Sequence, residues 1–281
     1  MKPLKQAAKK ILSLTVGRAM TERIVDQYAD KRDAAAYRLT EAGRESAQRL
    51  LGLKNRYRGE RCVIIGNGPS LNSMDLSPLR DEYTFGLNRI YLLYERLGFA
   101  TDFLVSVNRY VLEQCAGEIQ ALPGTKFISW PARALMPFDD DVIYIRSTLG
   151  PRFCTDLPSQ GVWEGATVTY VAIQLAYYLG FEQVILIGVD HSFASKGPAH
   201  QLVTSTGDDP DHFDPSYFGA GFRWQLPDLD QSEVAYRLAK AHFESAGREI
   251  VDATVAGKLD VFPKVDYDAI FSARRAGGRS A

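Results

Sequence analysis

Three observations predict an α/β protein built on a parallel sheet. Short, unbroken apolar runs, such as Cys62-Val63-Ile64-Ile65 and Gln183–Ile187, have the texture of strands buried on both faces. Helical stretches separate these runs, as crossovers between parallel strands require. Glycines stand directly after strands, at Gly66 and Gly68 and again at Gly188. Together these features give a Rossmann-like, mostly parallel sheet with helices on both faces, preceded by an N-terminal helical extension.

That extension covers residues 1–57. It is rich in Ala, Leu, Arg, Lys and Glu, and it places Ile11, Leu14, Ile24 and Tyr28 at helical spacing. Gly17, Gly43 and Gly52 read as breaks or caps. Residues 1–60 carry 14 Lys/Arg against 7 Asp/Glu, a local net of +7 in a chain whose formal net charge is -1. Such a basic arm suits peripheral contact with anionic lipid at the inner face of a membrane. It equally suits a solvated helix packed on the domain or on a second subunit of a homo-oligomer.

A Rossmann-like domain is expected over 58–271. Strands are predicted at 62–65, 83–87, 102–107, 126–129, 142–145, 183–187 and 249–253. Helices are predicted at 89–97, 110–120, 165–179 and 232–246, with Gly180 and Gly247 as stops. Residues 195–231 are rich in Asp, Gly and Pro and read as a long, lid-like loop. The stretch 272–281 reads as a disordered tail.

Composition excludes several classes. The near-neutral charge argues against a nucleic-acid partner. Three widely spaced cysteines, Cys62, Cys115 and Cys154, fit neither a disulfide framework nor a zinc ribbon. The apolar run 11–16 is too short to span a bilayer, and no later segment supplies about 18 uninterrupted apolar residues. A cytoplasmic protein is the expectation.

In an open parallel sheet ligands sit beyond the carboxyl ends of the strands, which directs attention to the residues that follow them. Gly66-Asn67-Gly68-Pro69-Ser70-Leu71 can turn sharply and present backbone N–H groups to an anion or ribose. It lacks the spacing and lysine of a P-loop and the third glycine and later acid of a dinucleotide fingerprint. Asn88 and Asn108 end successive strands and can read a base edge or ribose hydroxyl, or serve as ordinary turn or cap residues. Thr167 opens a long helix, where a hydroxyl and free N–H groups suit a phosphate, or simple capping. Asp190 and His191 end another strand, as an acid that orients a group and an imidazole that titrates near neutrality. In the lid, His212 lies between Asp211 and Asp214 and is a candidate proton shuttle. Phe213, Tyr217, Phe218 and Trp224 can stack on a base or sugar, and Arg223 can neutralise a diphosphate. The clustered lid acids raise a divalent-metal reading, with Asp209 and Asp211 suitably spaced, but they fall in a loop and no metal site is assigned.

The segments CVIIGNGPSL (62–71), Gly86-Leu87-Asn88-Arg89, DFLVSVN (102–108) and GFEQVILIGVD (180–190) resemble the 6-hydroxymethylpterin diphosphokinase MptE-like family. They are also similar to the bacterial sialyltransferases that use CMP-sialic acid. The resemblance spans about residues 61–255. It implies that Gly66, Asn67, Gly68, Ser70, Asn88 and Asn108 hold the nucleotide and that Thr167 meets the donor sugar. The sialyltransferase general base is a loop histidine, but Ala220 stands where the resemblance would put it, which leaves His212 or His191 for the role.

The expected function is therefore a transferase using a nucleotide-activated donor. A CMP-sugar or other nucleotide-sugar is favoured, with a small-molecule or glycan acceptor in surface-glycan assembly. His212, His191 and Asp190 are the catalytic candidates. Two alternatives stand beside it: an MptE-like diphosphokinase that uses ATP and Mg2+, and a non-catalytic nucleotide-binding module.

Overall fold

A computed structural model describes residues 18–272. Two helices come first, α1 (Arg18–Leu39) and α2 (Glu41–Leu53). The break falls at Thr40, whose extended backbone and hydroxyl cap α2 through the Gly43 N–H. Gly43 and Gly52 lie inside α2 and break nothing; Gly17 lies outside the described residues. At Gly43 a side chain would run into the Tyr37 backbone, so this glycine permits the close crossing of α1 over α2.

The sheet then builds outward. β1 (Arg61–Ile65), β2 (Tyr83–Leu87), β3 (Phe103–Ser106), β4 (Thr125–Ser129) and β5 (Val142–Ile145) follow one another. Between β2 and β3 the expected single helix is instead a 3-10 turn, 90–93, followed by the short α3 (Tyr94–Leu97), which stops at left-handed Gly98. α4 (Arg109–Gln120) joins β3 to β4, and α5 (Leu157–Gln160) follows β5. α6 (Val168–Leu179) ends at Gly180 and leads into β6 (Gln183–Ile187).

The 195–231 stretch is not a bare loop. It carries an antiparallel pair, β7 (Leu202–Thr204) with β8 (Arg223–Gln225), in which Val203 faces Trp224. Its apolar residues Phe213, Phe218 and Leu226 are buried in the core, which fixes the segment to the body. α7 (Leu229–Ser245) starts earlier than Ser232, because Asp228 caps it through the Gln231 N–H. β9 (Glu249–Asp252) and α8 (Tyr267–Ser272) complete the described chain. Residues 273–281, expected to form a disordered tail, lie outside it, as do 1–17 of the basic arm.

All seven main strands are parallel, in the order β5-β4-β3-β2-β1-β6-β9. Alternate strand residues feed two cores. Cys62, Ile64, Phe85 and Leu186 face α6 and α7, while Val63, Ile65, Leu104 and Ile187 face α4 and the hairpin side. This is the Rossmann-like architecture expected from the buried apolar runs. The three cysteines are buried and free. Among the described residues no helix is long and apolar enough to cross a membrane.

β5 is a sheet edge, and the N-terminal helices close it. The Tyr144 N–H donates to Ser46 Oγ at 3.0 Å, and the Tyr37 hydroxyl donates to the Tyr144 carbonyl at 3.0 Å. Arg49 donates to the carbonyls of Asp139, Asp140 and Val142. The edge groups that would otherwise template another strand are thereby occupied. Ser46→Ala leaves the buried Tyr144 N–H without an acceptor. It is expected to cost about 1–3 kcal/mol in urea unfolding, and an unchanged midpoint would show that the helices do not seal this edge.

Candidate functional site

The chain runs outward from β1 to β5 and then returns at β6 on the other side of β1. The loops after β1 and β6 therefore part in opposite directions, and a crevice opens between them. A cavity of about 600 Å³ lies there.

Its floor is two loops in close contact. The Gly68 N–H donates to the Gly188 carbonyl at 2.8 Å, and Gly188 itself has a left-handed φ of 65°. A side chain at Gly66 would meet the Gly188 backbone, and one at Gly68 would meet the Asp190 carboxylate. Asp190 is fully engaged here: Ser70 donates to it from its N–H (3.1 Å) and its hydroxyl (2.7 Å). The acid expected to orient a reacting group thus ties the glycine loop down. Pro69 and Ser70 stand behind the floor, outside the cavity lining. Pro69 is solvent-exposed and opens a 3-10 turn. Asn67 lines the cavity with its side-chain oxygen buried and without a hydrogen-bond partner. An orphaned buried acceptor is costly unless a ligand supplies a donor.

The two strand-end asparagines differ. Asn88 has a left-handed φ of 49°, caps no helix, and accepts the Ser106 hydroxyl at 3.1 Å. Asn108 is the N-cap of α4, accepting the N–H groups of Tyr110 and Val111. Its carboxamide nitrogen takes no part in that cap, and both residues line the cavity. Thr167 caps α6 through the Thr169 N–H and lies near the Tyr236 hydroxyl. The first turn of α6 borders the cavity and presents the positive end of a helix dipole to it.

His212 lines the opposite wall. Its partner is Asp209, with Nδ1 2.7 Å from the carboxylate, and neither Asp211 nor Asp214. Asp211 accepts from Ala194 and Ser195, and Asp214 closes a turn at Ser216. Burial pushes the Asp209 carboxyl up. Bonds from His212 and from the N–H groups of Asp211 and Phe218 outweigh it, holding the pKa below the ordinary aspartate value. Nδ1 thus faces the Asp209 carboxylate, and Nε2 is the ring nitrogen not engaged with it. His191, at a left-handed φ of 52°, sits 3.2 Å from Glu233, which also holds Arg237. His200 pairs with Asp228 at 3.1 Å.

The lid aromatics are arranged differently from the expectation. Tyr217 is buried and stacks flat on His212, with centroids 3.9 Å apart, while Phe218 packs on Phe222 and Trp224. These rings pack on one another and on His212; Tyr217, Phe218 and Trp224 also border the cavity, whereas Phe213 lies outside its lining. Arg223 lies outside the cavity lining, exposed and paired with Glu113 over the Tyr110 ring, which leaves it unsuited to neutralising a diphosphate there. Ala220 is exposed and also outside the lining. Among the described residues no Lys or Arg lines the cavity. Arg89 is turned to the Ser216 and Tyr217 carbonyls, and Arg109 is exposed beside Glu113.

Sequence reasoning did not pair Asp209 with His212, and it passed over Glu233 and Glu164. Asp209 stands three residues before His212, a spacing that one helical turn would bring together. Glu164 lines the cavity, accepts the Ser147 hydroxyl, and has its carboxyl pushed up by burial. Glu233 carries no local signal, because it comes from another helix.

Asp209→Asn weakens the hold on His212 and two backbone N–H groups. Because the folded pKa is depressed, the carboxylate stabilises the protein above its unfolded pKa and ceases to as pH falls through the folded value. Wild-type stability should therefore drop more steeply than that of Asp209→Asn below about pH 4. Parallel acid-unfolding slopes in the two proteins would contradict the geometry.

No curated protein matches the chain. Among solved structures, the MAf glycosyltransferase from Magnetospirillum magneticum AMB-1 is similar at 17% identity and a TM-score of 0.49. The alignment covers 84% of this chain and 39% of that one, so the chain spans about two fifths of that protein's length. The family model described as "6-hydroxymethylpterin diphosphokinase MptE-like" matches residues 37–196. This match bears out the resemblance carried by the strand-end motifs, though it starts within α1 and stops short of residue 255. The chain belongs to the MptE-like family.

Proposed function

We propose that the chain is a transferase that binds a nucleotide-activated donor at the carboxyl ends of β1, β2 and β3, with a CMP-sugar as the favoured donor. The observation that carries this reading is the Asp209–His212 pair opening on the same cavity as the Gly66–Gly68 loop. A cradle for a nucleotide and a carboxylate-supported imidazole in one crevice are the two parts that group transfer to a hydroxyl requires.

In this reading Asn67 supplies its orphaned oxygen to a donor group on the base or ribose, and the Asn88 and Asn108 amides flank it. The first turn of α6, at Thr167–Thr169, faces the phosphate. A single phosphodiester suits a cavity without cationic side chains, because the helix N-terminus and backbone N–H groups stabilise one negative charge well. His212 Nε2 takes the proton of the acceptor hydroxyl as the sugar leaves the phosphate, and Asp209 stabilises the imidazolium that results. The acceptor is a small molecule or glycan.

The family description favours a second reading, transfer of a diphosphate from ATP. A triphosphate brings more charge than this lining can offset, so a divalent ion would have to arrive with it. The carboxylates at the cavity fit such an ion poorly. Asp190, Asp211, Asp228 and Glu164 are each bonded to protein donors, and no group of three metal-ligating residues is present among the described residues.

Two measurements test the proposal. CMP is expected to raise the melting temperature without magnesium, since a ligand at a hundredfold excess over its Kd adds about 2.7 kcal/mol. Stabilisation by ATP only in the presence of Mg2+ would move the assignment to the diphosphokinase. His212→Ala is expected to lower turnover about 10²–10⁴-fold, and wild-type turnover in that variant would remove His212 from the mechanism.

A further inference from the structure

One carboxyl at the cavity takes no part in the floor, the lid or the histidine pairs. Glu164 lines the cavity between Trp163 and the first turn of α6, and its side chain is only partly covered. The backbone fixes it from both sides. Ahead of it, the chain pairs with the end of β5. The Val162 N–H donates to the Arg146 carbonyl and the Thr148 N–H to the Val162 carbonyl, each at 2.8 Å. Gly161, at a φ of 77°, permits that approach, since a side chain there would meet the Arg146 carbonyl. Behind it, Glu164 opens a tight turn into α6, with Gly165 at a φ of 56° and Ala166 at 61°. The Thr167 N–H closes this turn on the Glu164 carbonyl at 3.0 Å. A left-handed alanine at a cavity wall is local strain that the surrounding structure must hold.

The carboxyl itself is under-used. Among the described residues its one hydrogen-bond partner is the Ser147 hydroxyl, which donates to Oε1, and no cation pairs with it. Oε2 and the second lone pair of Oε1 remain for a ligand. Burial pushes the carboxyl above the ordinary glutamate range, so its ionised form is short of donors. Two adjacent hydroxyls would supply them. In dinucleotide-binding sheets an acid at the end of the second strand holds the ribose diol, and here Asn88 stands at that place. Glu164 brings an acid to the same crevice from a different part of the chain. Its position also selects among the hydroxyls of a nucleotide-sugar. Ser147 follows β5, so Glu164 lies toward the side of the cavity where β3 and β5 end, the side of Asn108. The donor sugar has to reach His212 on the opposite wall. We infer that Glu164 is a specificity-determining residue that accepts the 2′- and 3′-hydroxyls of the nucleotide's ribose, with Ser147 orienting its carboxylate. This inference rests on the nucleotide-donor reading above and adds that the ligand is a ribonucleotide.

Calorimetry with CMP, 2′-deoxy-CMP and 3′-deoxy-CMP tests this. The wild type is expected to bind CMP roughly 10- to 100-fold more tightly than either deoxy form, the range for hydrogen bonds to a charged group. In Glu164→Ala the three affinities are expected to converge. The ratio of affinities is the readout, because a merely structural loss would weaken all three nucleotides alike. Glu164→Gln keeps the shape and one acceptor oxygen but not the charge, and its ratio should fall below that of the wild type. It decides the matter if the melting temperature shows that Glu164→Ala does not fold. Equal affinity of the wild type for CMP and both deoxy forms overturns the assignment and leaves the nucleotide reading standing, as does a wild-type ratio that survives in the variants. Absence of CMP binding to the wild type overturns both.

Discussion

The close contact between the loops after β1 and β6 is the constraint on which the site depends. Gly66 and Gly68 have no side chain because the Gly188 backbone and the Asp190 carboxylate occupy that space. Asp190 then binds Ser70 twice, which converts a flexible glycine turn into a fixed floor. A carboxylate hydrogen-bonded to backbone and hydroxyl donors loses little by burial, so the tie is stable without a cation. Everything else at the cavity is placed relative to this floor. Asn67 is held with its oxygen unpartnered, and the Phe213 N–H reaches back to the Asn67 carbonyl at 2.9 Å. The lid that brings His212 is anchored to the same loop.

The strands were legible because a strand buried on both faces leaves an unambiguous apolar run. Those at 83–87, 142–145 and 183–187 fall where the pattern puts them. The switch between β1 and β6 was legible only in part: the glycines mark the two loops, but which strands are neighbours is a property of the sheet. The side-chain partners were the least legible. His212 has three acids within three positions, and the choice of Asp209 depends on a turn that no local preference specifies. Asp190 looked catalytic because it ends a strand beside a histidine, yet its partner Ser70 lies 120 residues earlier in the chain. The lid aromatics likewise looked ligand-directed, since composition does not reveal that they satisfy one another.

Charge gives the site its chemical character. Three histidines stand at the cavity, each beside a carboxylate, and no lysine or arginine lines it among the described residues. Such a lining offers proton acceptors and a helix N-terminus, not a clamp for several phosphates. The arginines close by serve architecture. Arg89 fastens the lid, Arg49 covers the β5 edge, and the buried Arg146 ties Asp30 of α1 to the carbonyls of Ser159 and Gln160. The N-terminal helices thus complete the sheet, whatever further role the basic residues ahead of them have.

The most direct measurement is a crystal structure of the protein with CMP. The account places the phosphate at the first turn of α6, beside Thr167 and Thr169, with a base or ribose donor on the Asn67 side-chain oxygen. CMP bound elsewhere on the molecule, or a cavity that keeps Asn67 unpartnered in the complex, would contradict it.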